Sequence, residues 1–209
     1  VFHFRIDKKW GNHMDWWIFI VSYLCGSIPF ALIIGKTFYR IDIREHGSGN
    51  LGATNAFATL GPKAGIAVFL GDFLKGFLPV IACVYYGLEV SPLLVGMVAV
   101  AGHCFPIFAG FRGGKAVATS AGVLLAYNPL MLFVAVVVFF GMIWMTKYVV
   151  FGSLTSCLAM VIYSFVDFNQ LNLIVFSLLF FVMIYLHRSN IRNLYHKTEP
   201  TIYEGKRVV

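Results

Sequence analysis

Residues 116–146 read AVATSAGVLLAYNPLMLFVAVVVFFGMIWMT, thirty-one positions without a single charge. As one unbroken helix this run would extend about 46 Å, well beyond a hydrocarbon core of roughly 30 Å. Asn128-Pro129 lies inside it, and an Asn-Pro pair starts a turn, because proline has no N–H to give and disfavours helix in the residue before it. The run is therefore predicted to be two short spans that meet at Asn128. Counted so, the chain is all-α with seven transmembrane helices; counted as one span, it has six, and everything after the run changes sides.

Working outward, residues 16–35, 64–86, 91–109, 148–166 and 171–186 are the other apolar stretches of spanning length. Hydrophobic residues make up 59% of the 209 and charged ones 12%, with a mean hydropathy of +0.81, which excludes an ordinary water-soluble domain. Loop charges test the count, since short cytoplasmic loops carry the lysines and arginines. Lys36, Arg40, Arg44 and Lys63 flank the first connection, none occurs near Glu89, Arg112 and Lys115 follow, none at Asn128, then Lys147, none near Asp167, and finally Arg188, Arg192, Lys197, Lys206 and Arg207. The alternation holds for seven spans, with the N-terminus outside and the C-terminus cytoplasmic; six would carry Lys147 and the basic tail away from the other cations. The net charge of +7 thus reports orientation, and no nucleic-acid partner is expected.

Three segments follow from this topology: an N-terminal tail over 1–15, a single transmembrane domain over 16–187 and a cytoplasmic basic tail over 188–209. Arg5, Lys8 and Lys9 break the alternation unless the chain starts at Met14. No cleavable signal peptide is expected, because the first apolar stretch is about twenty residues long and lacks a small-residue cleavage site. Cys25, Cys83, Cys104 and Cys157 are scattered singly, suggesting neither disulfides nor a metal site.

Three polar clusters fall on the cytoplasmic side. Glu45 to Asn55 holds Gly47, Gly49 and Gly52 among Ser48, Asn50, Thr54 and Asn55; glycines can turn through positive φ and bare their N–H groups, a chemistry suited to phosphate. The G-x-G-x-x-G match is not a dinucleotide fingerprint, because an apolar span and no strand precedes it. A flexible membrane loop is the plainer alternative. The second cluster, Arg112-Gly113-Gly114-Lys115, opens a helix and again suits an anion; positive-inside anchoring accounts for its charges but not its glycines. The third is His187-Arg188-Ser189-Asn190, where His187 is either an interfacial histidine or a site residue. His103, inside an apolar span, is left open between structure and function. Asp72 and Lys75, three apart in the second span, are expected to be a buried ion pair.

These residues resemble the acyl-phosphate-dependent glycerol-3-phosphate acyltransferases of the PlsY family. The likeness runs from about Tyr23 to Asn193 through Gly26-Ser27-Ile28-Pro29-Phe30, Gly47 to Asn55, Asp72-Phe73-Leu74-Lys75-Gly76, Gly102-His103, Gly113-Gly114-Lys115 and His187 to Asn190. The resemblance implies a multi-pass enzyme of the bacterial inner membrane that moves a fatty acyl group from acyl phosphate to the 1-hydroxyl of glycerol 3-phosphate. Lysophosphatidate and phosphate are the products, in the first step of phospholipid synthesis. It implies no metal and no cofactor, the lipid bilayer as surroundings, and a supplier enzyme of acyl phosphate at the membrane. By position, Ser48, Lys115, His187 and Asn190 become catalytic candidates. Ser153 is a further substrate contact by position, and the anion chemistry of the two glycine clusters makes Gly47, Gly49, Asn50, Gly52, Thr54, Asn55, Arg112, Gly113 and Gly114 substrate or phosphate contacts, with Lys63 added as a nearby cation. No histidine is followed five residues later by aspartate, as the H-x-x-x-x-D signature of thioester-using acyltransferases would require. The chain departs from the family at Ala58, where an arginine is common; Lys63 is the nearest cation, beyond a break at Gly61-Pro62. A transporter of a small phosphorylated solute and an inactive or divergent paralogue remain the alternatives.

Overall fold

The structure is a computed structural model and describes residues 15–203; the readings made for residues 1–14 and for Lys206 and Arg207 lie outside the described residues. Ten α-helices follow one another among them: α1 (Trp17–Gly26), α2 (Phe30–Phe38), α3 (Ala53–Leu60), α4 (Pro62–Tyr85), α5 (Pro92–Cys104), α6 (Val117–Tyr127), α7 (Pro129–Thr146), α8 (Val149–Val166), α9 (Gln170–Leu186) and α10 (Arg188–Tyr195). Short 3₁₀ turns lie at Ile43–Glu45 and Ile107–Ala109.

The long uncharged run breaks where expected. Asn128 leaves helical geometry (φ −154°, ψ 102°) and caps α7, its side chain accepting from the N–H groups of Leu130 and Met131 at 3.0 and 3.3 Å. These bonds satisfy donors that a helix start otherwise leaves bare. The first apolar stretch, read as one span, is instead two helices bent by 41° at Ser27-Ile28-Pro29. Proline has no N–H to continue the ladder, and at the break the Ile28 carbonyl accepts from the Phe30 N–H at 3.2 Å and from the Lys75 ammonium at 2.9 Å. The stretch read as a loop between Lys36 and Lys63 contains the rest of α2, a 3₁₀ turn and α3. Gly61 (φ 92°) separates α3 from α4.

Helices α4, α7, α8 and α5 with its following turn (Pro92–Ala109) are each long and apolar enough to cross a membrane; the bent pairs α1/α2 and α9/α10 raise the candidates to six, and α6 is a shorter apolar helix. At the centre α4 packs on α6, and α1 on α5. Backbones touch there: a Cβ on Gly76 would fall 2.1 Å from the Thr119 carbonyl oxygen, one on Gly122 2.0 Å from that of Phe73, and one on Gly26 2.1 Å from that of Ala99. Small residues permit such approach where lipid supplies no hydrophobic drive between helices. Ser22 adds a hydrogen bond to the Val95 carbonyl at 2.6 Å. Helices α7, α8 and α9, joined by short turns, pack in sequence and turn Phe133, Phe140, Ile162, Phe165, Leu178 and Phe181 outward.

Candidate active site

The first glycine cluster is organised by Asn55. From the first turn of α3 its Oδ1 accepts the Ser48 N–H at 3.0 Å, and its Nδ2 donates to the carbonyls of Ile43, His46 and Asn50 at 3.3, 3.1 and 3.1 Å. The amide is spent inside the loop, so Asn55 builds the loop's shape, where the sequence suggested a substrate contact. Gly47 (φ 59°) is required on two counts: the conformation is left-handed, and a Cβ would fall 2.3 Å from Asn55 Oδ1. The Gly49 N–H also turns inward, donating to the His46 carbonyl at 3.0 Å. Ser48 and Thr54 are exposed, and Asn50 Oδ1 is buried without a partner among the described residues. At the loop's entry Arg44 grips Asp42 through two bonds of 2.9 and 2.6 Å, with Lys36 at 3.4 Å. That guanidinium holds the Asp42 carboxyl well below the usual carboxylate range.

The second cluster uses its glycines for close packing. A Cβ on Gly113 would meet the His103 carbonyl oxygen at 2.0 Å, and one on Gly114 would meet His103 Nε2 at 2.2 Å and the Leu51 carbonyl oxygen at 2.9 Å. The Gly114 N–H donates to the His103 carbonyl at 3.2 Å. The sequence reading had these N–H groups facing an anion; the one on Gly114 is taken. What the glycines achieve is contact, since Gly114 lies between α5 and the first glycine loop. Lys115 follows half-buried, and Arg112 is exposed.

The third cluster closes on the second. Lys115 Nζ donates to Asn190 Oδ1, and Asn190 Nδ2 donates to Glu199 Oε1 at 2.5 Å. Burial brings the Lys115 ammonium down to about 8, with Glu199 acting the other way. His187 is buried at the end of α9 with Nδ1 2.9 Å from the Met183 carbonyl. In the neutral ring Nδ1 therefore carries the proton and Nε2 the lone pair. His187 and Lys115 are electrostatic neighbours.

Behind the clusters Asp72 and Lys75 form the expected buried pair at 2.8 Å. His103 Nδ1 lies 3.5 Å from Asp72 Oδ1 and 3.2 Å from Thr119 Oγ1, which makes it part of this network. Lys63 is exposed at the start of α4, and Ser153, buried in α8, spends its hydroxyl on the Val149 carbonyl at 3.0 Å. No group of three or more His, Cys, Asp or Glu among the described residues could hold a metal ion. Glu199 escaped the sequence reading; the available signal was its being the sole acid among residues 188–203.

The family model for glycerol-3-phosphate acyltransferase matches residues 16–197. Similar proteins include the glycerol-3-phosphate acyltransferase of Bacillus subtilis, 53% identical over 185 residues, 88% of this chain and 96% of that protein. That of Geobacillus kaustophilus is 48% identical over 193 residues, 91% of this chain and 98% of that one. Among solved structures, the glycerol 3-phosphate form of PlsY, an integral membrane glycerol 3-phosphate acyltransferase, superposes with a TM-score of 0.83 at 37% identity, covering 89% of this chain and 94% of that one. Its lysophosphatidic acid form gives 0.80 at 36% identity, covering 88% and 93%.

Proposed function

Because the chain belongs to the glycerol-3-phosphate acyltransferase family, we propose that it moves a fatty acyl group from acyl phosphate to the 1-hydroxyl of glycerol 3-phosphate. The hydroxyl oxygen attacks the carbonyl carbon of the mixed anhydride, the bond from that carbon to the phosphate oxygen breaks, and the hydroxyl proton leaves with the phosphate. Lysophosphatidate and inorganic phosphate result. The observation that carries this reading is the meeting of three polar clusters, Leu51 against Gly114 and Lys115 against Asn190, at one end of an otherwise apolar bundle.

An anhydride is already activated, so positioning and charge stabilisation suffice. Lys115 takes the negative charge that grows on the leaving phosphate. Ser48, Thr54 and the unpartnered Asn50 Oδ1 bind substrate oxygens or hydroxyls, and His187 Nε2 accepts a hydroxyl proton in a hydrogen bond. Asn190 orients the lysine. The protein is an enzyme of the bacterial inner membrane with seven spans, α6 counting as a short one, its N-terminus outside and this site cytoplasmic. That sidedness rests on the alternation of loop cations, while Trp16, Trp17, Tyr85 and Tyr86, exposed at one end of α1 and α4, and Trp144 and Tyr185, exposed at the far ends of α7 and α9, fit two interfacial belts. Acyl phosphate hydrolyses readily, so an enzyme at the same membrane supplies it.

The test uses purified protein in detergent with acyl phosphate, glycerol 3-phosphate present or absent. Phosphate release and lysophosphatidate formation that both require glycerol 3-phosphate are expected. Release that ignores glycerol 3-phosphate, or equal transfer from an acyl thioester, would overturn the reading.

A further inference from the structure

Glu199 is the unassigned residue with the most to explain. It reaches the site by a built path. The chain bends by 54° between α9 and α10 and turns left-handed at Lys197 (φ 57°). The Thr198 N–H is fastened to the Asn193 carbonyl at 2.8 Å and the Ile202 N–H to the Lys147 carbonyl at 3.0 Å. The segment that carries Glu199 is thus anchored on both sides, on α10 and on the turn between α7 and α8. Its carboxylate accepts from Asn190 Nδ2 at 2.5 Å, while Oε2 is buried without a partner among the described residues. A tether would spend both oxygens or leave them in water, because a buried unpaired acceptor costs free energy. A group kept for its charge tolerates that cost if an opposite charge lies close by.

We infer that Glu199 is a positioning residue of the acyl-transfer site, holding the Asn190 amide with Oδ1 toward Lys115 and facing the lysine with a negative charge. The direction of the chain follows from donor and acceptor chemistry. An ionised carboxylate only accepts, so Asn190 must present Nδ2 to it, which leaves Oδ1 for the ammonium. A glutamine at 199 could donate to Oδ1 instead and let the amide turn, setting donor against donor at Lys115. The charge acts as well. Glu199 opposes the burial that lowers Lys115, while His187, the other titratable group beside the lysine, stands at the end of α9.

This inference rests on the acyl-transfer reading of the site, and its test separates the two. Labelling of Lys115 by an amine-selective reagent, followed by mass spectrometry across pH 6 to 10, reads the lysine's charge without any turnover. Full-length wild type is expected to give a midpoint of about 8. Glu199→Gln should move it down by about one pH unit, since a neighbouring opposite charge shifts a pKa by about that much or more. Glu199→Asp, which keeps the charge but withdraws it, should fall between. With glycerol 3-phosphate and acyl phosphate, Glu199→Gln should lose about ten-fold in kcat with KM nearly unchanged. Equal midpoints for wild type and Glu199→Gln, whatever the rate, would overturn the inference as a mere tether. If the glutamine variant does not stay monodisperse, Glu199→Asp decides alone: a wild-type midpoint with wild-type kcat overturns it. A wild type that labels as expected but transfers nothing refutes the proposed function instead.

Discussion

Lys115 donates to Asn190 from a half-buried position, and its ammonium titrates at about 8. The lysine is a cation below that pH and loses its charge as pH rises through it, so kcat/KM of the free enzyme should fall on the alkaline side with that midpoint. Lys115→Ala should remove this limb and lower kcat by about 10²–10³-fold, the loss expected for one preorganised electrostatic contact. A variant with near-normal turnover and monodisperse elution would return the lysine to a role as membrane anchor. Ala58 poses the second question at this scale. It sits half-buried on α3 where the resemblance calls for arginine, and Lys63 is exposed nearby in sequence. A guanidinium fork binds phosphate better than a point charge. Ala58→Arg should therefore lower KM for glycerol 3-phosphate about ten-fold and rescue the activity that Lys63→Ala removes. Additive effects in that double-mutant cycle would eliminate Lys63 as the substitute.

Helix α4 shows how one element serves both packing and site. Gly76 lets it touch α6, while Asp72 and Lys75, about one turn apart on the same face, pair at 2.8 Å and reach His103 on α5 and the Ile28 carbonyl at the α1/α2 break. Breaking a buried pair strands a charge. Lys75→Met should therefore destabilise the protein by about 3–5 kcal/mol, read as a lowered midpoint of thermal unfolding in detergent. Replacing both partners, Asp72→Leu with Lys75→Met, should recover part of that loss. A single variant as stable as wild type would show that the pair does not hold the break. The network also explains a limit of the sequence: the Asp72/Lys75 spacing announces the pair, but nothing in it reveals that lysine's second partner is a carbonyl forty-seven positions away.

Across the whole molecule, sidedness is the property to measure. A cysteine at Pro129, chosen over Asn128 to spare the α7 cap, should react with an impermeant maleimide on intact cells. One at Ser48, which is exposed, should react only after permeabilisation. Cys83, Cys104 and Cys157 are buried, and the half-buried Cys25 is replaced by serine in both labelling variants. Labelling of both positions from the same side would discard the seven-span arrangement and leave α6 and α7 as one re-entrant unit. At eleven residues α6 is only about 16 Å long, about half of a hydrocarbon core of roughly 30 Å, which makes it the element that this labelling decides.

Composition and local pattern were enough for the all-helical membrane class, the break at Asn128-Pro129, the Asp72/Lys75 pair and the three polar clusters, because these follow from hydropathy, proline stereochemistry and helical spacing, all properties of neighbouring residues. Glycine's meaning was not legible. A sequence shows that a Cβ is missing, and only the fold tells whether the space admits a ligand or, as at Gly113 and Gly114, another segment's backbone. The same holds for Asn55, whose amide turns inward, and for Glu199, whose place beside Asn190 depends on a bend, a left-handed turn and an anchor on Lys147. Such contacts are made between segments distant in sequence, and their geometry exists only once the helices have packed.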